Sequence, residues 1–570
     1  RSYDRRAWRL RQLMEALETV LNYHDATKHH PHRHARSLGY MDWATQPDPF
    51  RRYRGAPSVP LLLGGASASP AYDALYETGA VAPQPVCLET ISEFFQYSLA
   101  LSAWKQYGAS RWALRVNPSS GNLHPTEGYI AIGAVQGVSE APGVFHYAPK
   151  DHILERRCEV RSDDWDRFIS PFPCGTFLIG LSSIHWREAW KYGERAYRYC
   201  QHDVGHALAA LCLSGALQGW RVVPLSEMSD ERLEALLGLD RRHDFANAER
   251  EHPDLLIAVL PSAHPVTGKS PPRLPDDALD SIGQRKWYGS ANSLSSDHVE
   301  WDLIDSVADA CRKPPTPQQA TPTPTIGFAE PCAPNRRAIP ARKIIQQRRS
   351  AVAMDRRTTI TADQFYLMMD RVLPRFERPP WSALGPFAHV NLGLFVHLVQ
   401  GLAPGLYFLV RSPHLFADLR GSMRSEFEWN RPTGCPHSFP LYHLMAGDAR
   451  TVAGHVSCGQ DIAADGAFSV SMIADYEAPL RDRGAWMYRR SHWETGMIGQ
   501  VLYLEAEAAG VRGTGIGCFF DDPVHDLFGF NDRKYQCLYH FTVGGPLEDA
   551  RLTTSPPYPP QITGRRTAAD

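Results

Sequence analysis

The chain has 570 residues with 60 basic and 62 acidic side chains and a net charge of −2. It is too long for a single core, which predicts two domains and a linker, and it lacks a field that would gather nucleic acid or an anionic membrane. No apolar run reaches the roughly 18 residues a spanning helix needs, and the 11 scattered cysteines, without CxxC spacing, predict reduced thiols in a cytoplasmic protein.

Residues 1–22 carry Trp8, Leu10, Leu13, Leu17, Val20 and Leu21 at helical spacing, an amphipathic charged pattern rather than an apolar signal core. Residues 23–57, rich in His, Arg and Pro, predict loop. Within them Lys28-His29-His30-Pro31-His32-Arg33-His34 fits no structural zinc spacing, and no metal is expected. Residues 87–107 predict a helix pair leading into a basic segment, Arg111 to Arg115, then a turn at 117–122 and a strand from Tyr129 to Val135. The segment from about 196 to 219 predicts a helix apolar on every face and therefore central, through Val204, Ala207, Leu208 and Leu211. The segment from about 487 to 509 matches it through Ile498, Val501 and Leu502, and Leu255–Leu260 and Tyr539–Val543 predict the strands that close each half. Ser262 to Pro275 is turn-rich. Asp297-His298-Val299-Glu300 predicts a capping box for a helix to about Cys311, and Pro314 to Pro334 an extended tether. Disorder is expected after Pro556.

The chain repeats itself. Tyr197-Arg198, Gly205, Gly219 and Leu237-Gly238-Leu239 recur as Tyr488-Arg489, Gly496, Gly510 and Phe528-Gly529-Phe530, always 291 positions on. Upstream, Ala141-Pro142-Gly143-Val144-Phe145 recurs as Ala403-Pro404-Gly405-Leu406-Tyr407, 262 positions on. A repeat this long is a whole domain, and a fused pair predicts an intramolecular pseudo-dimer whose interface site takes residues from both halves.

Three segments carry chemistry. Asn117-Pro118-Ser119-Ser120-Gly121-Asn122 offers hydroxyls and an amide that suit the polar edge of a planar heterocycle, although alone it also reads as an ordinary turn. Arg348-Arg349-Ser350 suits a phosphate, or else a solvated helix face. Gly513-Thr514-Gly515-Ile516-Gly517-Cys518 permits close backbone approach to a ligand, or else terminates a helix; it is not the dinucleotide fingerprint.

Together these segments resemble the nitroreductase-like flavin fold, and within it the SagB-type, azoline-oxidising dehydrogenases. The resemblance covers about 85–262 and 336–552. It implies an α+β fold of two units, each a central, mostly antiparallel sheet flanked by helices. The expected domains are an extension at 1–84, a first unit at 85–262, a linker with one helix and a Pro-rich tether at 263–335, and a second unit at 336–570. It implies FMN held between the units by Pro118, Ser119, Ser120 and Asn122 from the first and by Arg348, Ser350, Gly515, Ile516 and Gly517 from the second. The family often has a second basic residue where Val352 stands here, and Arg356 or Arg551 is expected to replace it. Lys191-Tyr192 resembles a catalytic Lys-Tyr pair, in which a desolvated Lys could take a proton.

The other half-site departs from the pattern. It has Pro379-Pro380-Trp381-Ser382 for the Ser-rich turn, Trp220 to Pro224 for the glycine triplet and Tyr23 to Lys28 for Arg-x-Ser. One flavin per chain is expected. The expected function is an FMN-dependent SagB-like dehydrogenase acting on a small molecule or modified peptide, with oxygen or NAD(P)H as redox partner, as a monomeric pseudo-dimer or a further homodimer. The alternatives are an NAD(P)H-dependent nitro, quinone or enone reductase and a degenerate non-catalytic scaffold. Cys158, Cys174, Cys200 and Cys212 lack a paired base and are expected to be core or surface thiols, and Phe519 and Phe520 core or pocket lining.

Overall fold

The computed structural model describes residues 2–559 except 65–67, 263–272, 284, 318–327, 329–330 and 386–387. Helix α1 (Ser2–Ala26) is followed by β1 (Ser58–Pro60) and α2 (Leu88–Gln96). A hairpin then runs through β2 (Leu101–Tyr107) and β3 (Ser110–Arg115). The expected second helix and basic segment are therefore two strands. Gly108 turns between them at φ +55°, and Trp104, Tyr107 and Trp112 are β-formers that a periodicity carried over from α2 had masked.

The first unit continues with β4 (Thr126–Ile132), which starts three residues before the expected Tyr129. Next come β5 (Gly143–Ala148), β6 (Ile153–Glu159), β7 (Phe177–Ser183), α3 (His185–Tyr192) and the long α4 (Ala196–Leu217). It closes with β8 (Arg221–Pro224), α5 (Asp230–Leu237) and β9 (His252–Leu260). Helix α6 (Asp302–Ala310) starts a turn later than the expected capping box, and Trp301 caps it with no side-chain bond. The middle of the Pro-rich tether and most of the turn-rich segment at 262–275 lie outside the described residues.

The second unit runs through α7 (Ala341–Gln347), β10 (Val390–Val396), β11 (Gly405–Leu409), β12 (Leu441–Ala446), α8 (Arg450–Val456) and β13 (Phe468–Asp475). It ends with the long α9 (Met487–Ala508), β14 (Arg512–Ile516), α10 (Asp521–Phe528), β15 (Tyr535–Gly544) and β16 (Thr553–Ser555). The glycine triplet is thus not a terminating loop: Arg512–Ile516 forms an edge strand antiparallel to β15.

The repeat seen in sequence is a repeat in space. The two main sheets run β1-β6-β5-β4-β7-β9-β8 and β12-β11-β10-β13-β15-β14, the same strand order except for the extra β1, and every pairing in them is antiparallel. Phe145 opposite Ile130 in one sheet corresponds to Tyr407 opposite Leu394 in the other. Helices α4 and α9 both have 22 residues and pack against each other at the centre, joining the units in one core that includes Val204, Leu208, Leu211, Ile498, Val501 and Leu502.

Their crossing point is the repeated glycine. A Cβ on Gly205 would fall on the carbonyl oxygen of Trp493, and one on Gly496 would fall on that of His202. Trp493 and His202 are themselves 291 residues apart, so the contact has two-fold pseudo-symmetry. Only hydrogen at both positions lets the two backbones approach this closely.

The units also exchange segments. Strand β16 pairs with β2, forming a three-stranded sheet β16-β2-β3. Tyr558 Oη accepts from Leu101 N (3.1 Å) and donates to Pro149 O (2.7 Å), so the expected disorder after Pro556 does not hold for Pro557 and Tyr558. Residues 560–570 lie outside the described residues.

Candidate functional site

The turn at 117–122 is held from behind by the helices of its own unit. Ser119 Oγ accepts from His124 N (2.8 Å) and donates to Glu188 Oε1 (3.4 Å). Ser120 N lies 3.3 Å from both carboxylate oxygens of Asp203 on α4, and Ser120 Oγ lies 3.4 Å from one of them. Two serines thus sit between two buried carboxyl groups and a cavity of about 530 Å³ at the junction of the units. Pro118, Ser119, Ser120, Gly121 and Asn122 line it from the first unit, and Arg348, Ser350, Gly515, Ile516 and Gly517 line it from the second.

The second unit supplies a cationic wall. Arg348 is the C-cap of α7 and is 4% exposed. Its Nη2 donates to the carbonyls of Arg115 (2.8 Å) and Val116 (3.2 Å) in the first unit, while its Nε is buried without a partner. Arg349 bonds to Ser102 of the hairpin and to the carbonyls of Gln346 and Arg348. Among the described residues neither guanidinium forms an ion pair. Burial lowers the Arg348 pKa, and burial beside Arg348 lowers that of Arg349 to about 10. Glu507 accepts from Arg349 N (3.1 Å) and partly offsets both charges. Adjacent, desolvated guanidiniums with no ion pair of their own, one with an orphaned N–H, fit a bound dianion such as the phosphate of FMN. Lys105 of the first-unit hairpin and Arg512 line the same cavity, but so do Glu548 and Asp549, and Arg512 is paired with Glu548.

The glycine strip is built by what lies behind it. Cβ atoms on Gly513, Gly515 and Gly517 would fall on the rings of Phe541, Tyr539 and Tyr199 respectively. Alternate residues of a strand point to one face, so the three glycines make room for three rings on that face. Tyr503 Oη accepts from Gly515 N (2.9 Å) and pairs with Ser350 Oγ (2.9 Å), tying the strip to the residue after Arg349.

The proton-bearing groups lie on α3 and α4. Tyr192 lines the cavity, and burial, with Glu188 nearby, raises its pKa well above the ordinary tyrosine value. A Cβ on Gly121 would be 2.8 Å from Tyr192 Oη and 3.2 Å from Lys191 Nζ, so both side chains reach the tip of the turn. Lys191 itself is exposed. The expected desolvated Lys is therefore not what the structure has: Lys191, on the last turn of α3, stays exposed although its Nζ reaches the turn. The desolvated groups are carboxyls instead. Burial pushes Asp203 up to about 7 and Glu188 well above the carboxylate range, and each raises the other's cost of ionisation. The residue 291 positions from Asp203 is Glu494, which pairs with Arg411. Asp203 has no such cation among the described residues.

Several expectations are corrected. Arg551 pairs with Asp549 (2.7 Å) and Arg356 with Asp465 (3.0 Å), both arginines are exposed, and neither lines the cavity. Arg349 and Lys105 line the cavity near Val352, as does Arg512, which is paired with Glu548 and with Glu507 (3.6 Å). Tyr23 to Lys28 is not the counterpart of Arg-x-Ser. The end of α1 packs on the second unit, with His24 bonded to Tyr488 and Gln536 and Lys28 to Asp522. The second half-site is filled. Ser382 Oγ donates to Val222 O on β8, Trp381 is buried, and cavities of only about 20 and 90 Å³ lie there. Phe519 is buried against His540 and does not reach the cavity. Sequence reasoning missed Asp203, Glu188, Tyr199, Tyr503, Tyr539 and the hairpin's Trp112. The repeat itself held one usable signal: 203 and 494 are both acidic, and only one has a buried arginine partner.

The nitroreductase family profile matches residues 442–545. A protein of Methanocaldococcus jannaschii classed as a nitroreductase is 25% identical over 149 residues, covering 25% of this chain and 68% of its own. A nitroreductase-class structure from Anabaena variabilis superposes with a TM-score of 0.64 at 20% identity, covering 93% of this chain and 99% of that one. The Escherichia coli microcin synthetase McbBCD complex with truncated pro-MccB17 covers 41% of this chain and 79% of that one at 14% identity, with a TM-score of only 0.27. The chain thus carries a nitroreductase-family segment at 442–545 and has a mixed α+β, nitroreductase-like fold over most of its length. No described helix is long and apolar enough to cross a membrane.

Proposed function

We propose that the chain is an FMN-dependent oxidoreductase of SagB-like type, with one flavin site per chain between its two units. The observation that carries this reading is the asymmetry of the pseudo-dimer. One junction keeps a cavity of about 530 Å³ with two buried arginines that form no ion pair on one side and a Ser-Ser-x-Asn turn on the other, while cavities of only about 20 and 90 Å³ lie at the equivalent junction. Arg348, Arg349 and Ser350 would hold the phosphate. Pro118, Ser119, Ser120 and Asn122, with Gly515, Ile516 and Gly517, would hold the ring.

Bound FMN would supply two-electron hydride chemistry. The chain's own residues manage protons and position. Tyr192 and Lys191 present a hydroxyl and an ammonium at the tip of the turn, where a substrate heteroatom can gain or lose a proton. Glu188 and Asp203 hold the two serines from behind, and their depressed acidity keeps proton density beside the cavity rather than a double negative charge. The substrate is a small molecule or a modified peptide, and oxygen or NAD(P)H is the redox partner.

The test is stoichiometry followed by reduction. Purified chain incubated with FMN and desalted should retain close to one FMN per chain. Retention of none favours a scaffold, and retention of two refutes the single site. Single-turnover mixing with azoline or amine compounds should bleach the bound flavin. Bleaching by NAD(P)H and by none of these would favour a nitro, quinone or enone reductase of the same fold.

A further inference from the structure

Cys518 follows the glycine strip and stands in the wall of the interface cavity, half-buried, so a small solute entering the cavity can reach it. Its Sγ lies 2.6 Å from Sγ of Cys458, also half-buried, on the turn that follows α8. The backbones carrying the two sulfurs are tied on both sides. Phe520 N donates to Val456 O (2.8 Å), and Gln460 Nε2 donates to Cys518 O (3.0 Å) and Ser457 O (2.8 Å). Cys458 adopts φ +57° and Gly459 φ +70°, a left-handed pair that turns the chain back towards Cys518. The sulfurs therefore meet because two strapped segments bring them together.

The surroundings favour a thiolate on Cys518. Contact with the Cys458 sulfur and the Arg195 guanidinium, which donates to Gly517 O (3.3 Å), lower the Cys518 pKa, whereas burial and Asp521 oppose them. Asp521 is itself paired with Arg195 and Arg198. Ligand atoms of His29, His34 and Cys518 lie within 4.8 Å of one another, which raises the alternative of a metal site. His29 Nδ1, however, accepts the Ala35 N–H (2.9 Å), so in the neutral ring Nε2 carries the proton. That arrangement makes His29 a donor rather than a ligand, and it favours thiol chemistry over metal binding.

We propose that Cys458 and Cys518 form a redox-active dithiol at the edge of the interface cavity, which reacts with hydroperoxides and closes reversibly to a disulfide. The Cys518 thiolate attacks one oxygen of hydrogen peroxide, forming an S–O bond and breaking the O–O bond, and the hydroxide released takes a proton to become water. The Cys458 sulfur, losing its proton, then displaces the second oxygen from the sulfenic acid as water and forms the S–S bond. Overall two thiols are oxidised by two electrons, and one peroxide is reduced to two waters. The bond would fasten the exit of the glycine strip to the turn after α8.

The test uses the full-length chain treated with limiting hydrogen peroxide, alkylated, digested and mapped by mass spectrometry, with the exposed Cys174 as internal reference. The expected product is a linked pair of peptides containing Cys458 and Cys518, two hydrogens lighter than the separate peptides and restored by dithiothreitol. Before oxidation, Cys518 should alkylate roughly tenfold faster than Cys174 at neutral pH. Cys458→Ser should leave a sulfenic acid on Cys518 that dimedone labels. Oxidation of Cys174 without the linked pair overturns the proposal, and so does one equivalent of zinc released when the native thiols are modified.

Discussion

Replacing Arg348 by Ala separates the role of its charge from its role in packing. In the free protein the side chain donates two hydrogen bonds, to the carbonyls of Arg115 and Val116, and the substitution loses both. It also removes a buried cation that forms no ion pair and whose pKa burial lowers. The two effects oppose each other, so the unliganded variant should unfold within about 1–2 kcal/mol of the parent, the scale of one or two neutral hydrogen bonds. With FMN bound the balance changes. A charge-assisted bond to phosphate is worth about 1.5–3 kcal/mol, and 1.4 kcal/mol is about a factor of ten, so Kd for FMN should rise by roughly one to two powers of ten. Quenching of flavin fluorescence on titration measures the affinity, and urea unfolding without FMN measures the packing term. Arg348→Lys should recover part of the affinity, because it restores the charge but not the guanidinium fork. An FMN affinity unchanged within twofold, with the variant folded, would refute the assignment of Arg348 to the phosphate.

Other outcomes test other parts of the structure. Gly205→Ala would stabilise an exposed helix, but here its Cβ meets the Trp493 carbonyl, so urea unfolding should show a loss of roughly 1–3 kcal/mol or more; a gain in stability would mean that the helices do not cross there. Asp203 is pushed up to about 7 in the folded chain against about 3.9 unfolded, so its stabilising contribution is complete below about pH 4 and is lost as pH rises to about 7. Asp203→Asn should therefore flatten the fall in melting temperature across that window, and an unchanged pH profile would place the proton elsewhere. Lys191→Ala should leave FMN retention intact while lowering turnover of a substrate that bleaches the flavin by roughly 10²–10⁴-fold; loss of FMN, or full turnover, would remove Lys191 from proton transfer.

The sequence by itself determined the duplication, the two central helices and the complementary split of candidate residues between the halves. The physical reason is that each is a local or periodic property. A helix apolar on all faces must be buried wherever it goes, and a constant 291-residue spacing over Tyr197–Leu239 survives any folding. The turn at 117–122 and the Arg348–Ser350 segment were legible because each concentrates its donors within a few residues. Only the tertiary structure decided the rest. Gly205 and Gly496 are unremarkable glycines until their helices cross, and the triplet at 513–517 read as a loop because nothing local reveals Phe541, Tyr539 and Tyr199 behind an edge strand. The Lys191 ammonium looked like the desolvated group, yet solvent exposure is set by packing, and packing buried Asp203 and Glu188 instead. Val352 broke the expected charge pattern, and the structure brings Arg349 and Lys105 to the same cavity from two separate places in the chain. Electrostatics depends on distance in space, so a cation brought in by another strand counts as fully as one two residues away.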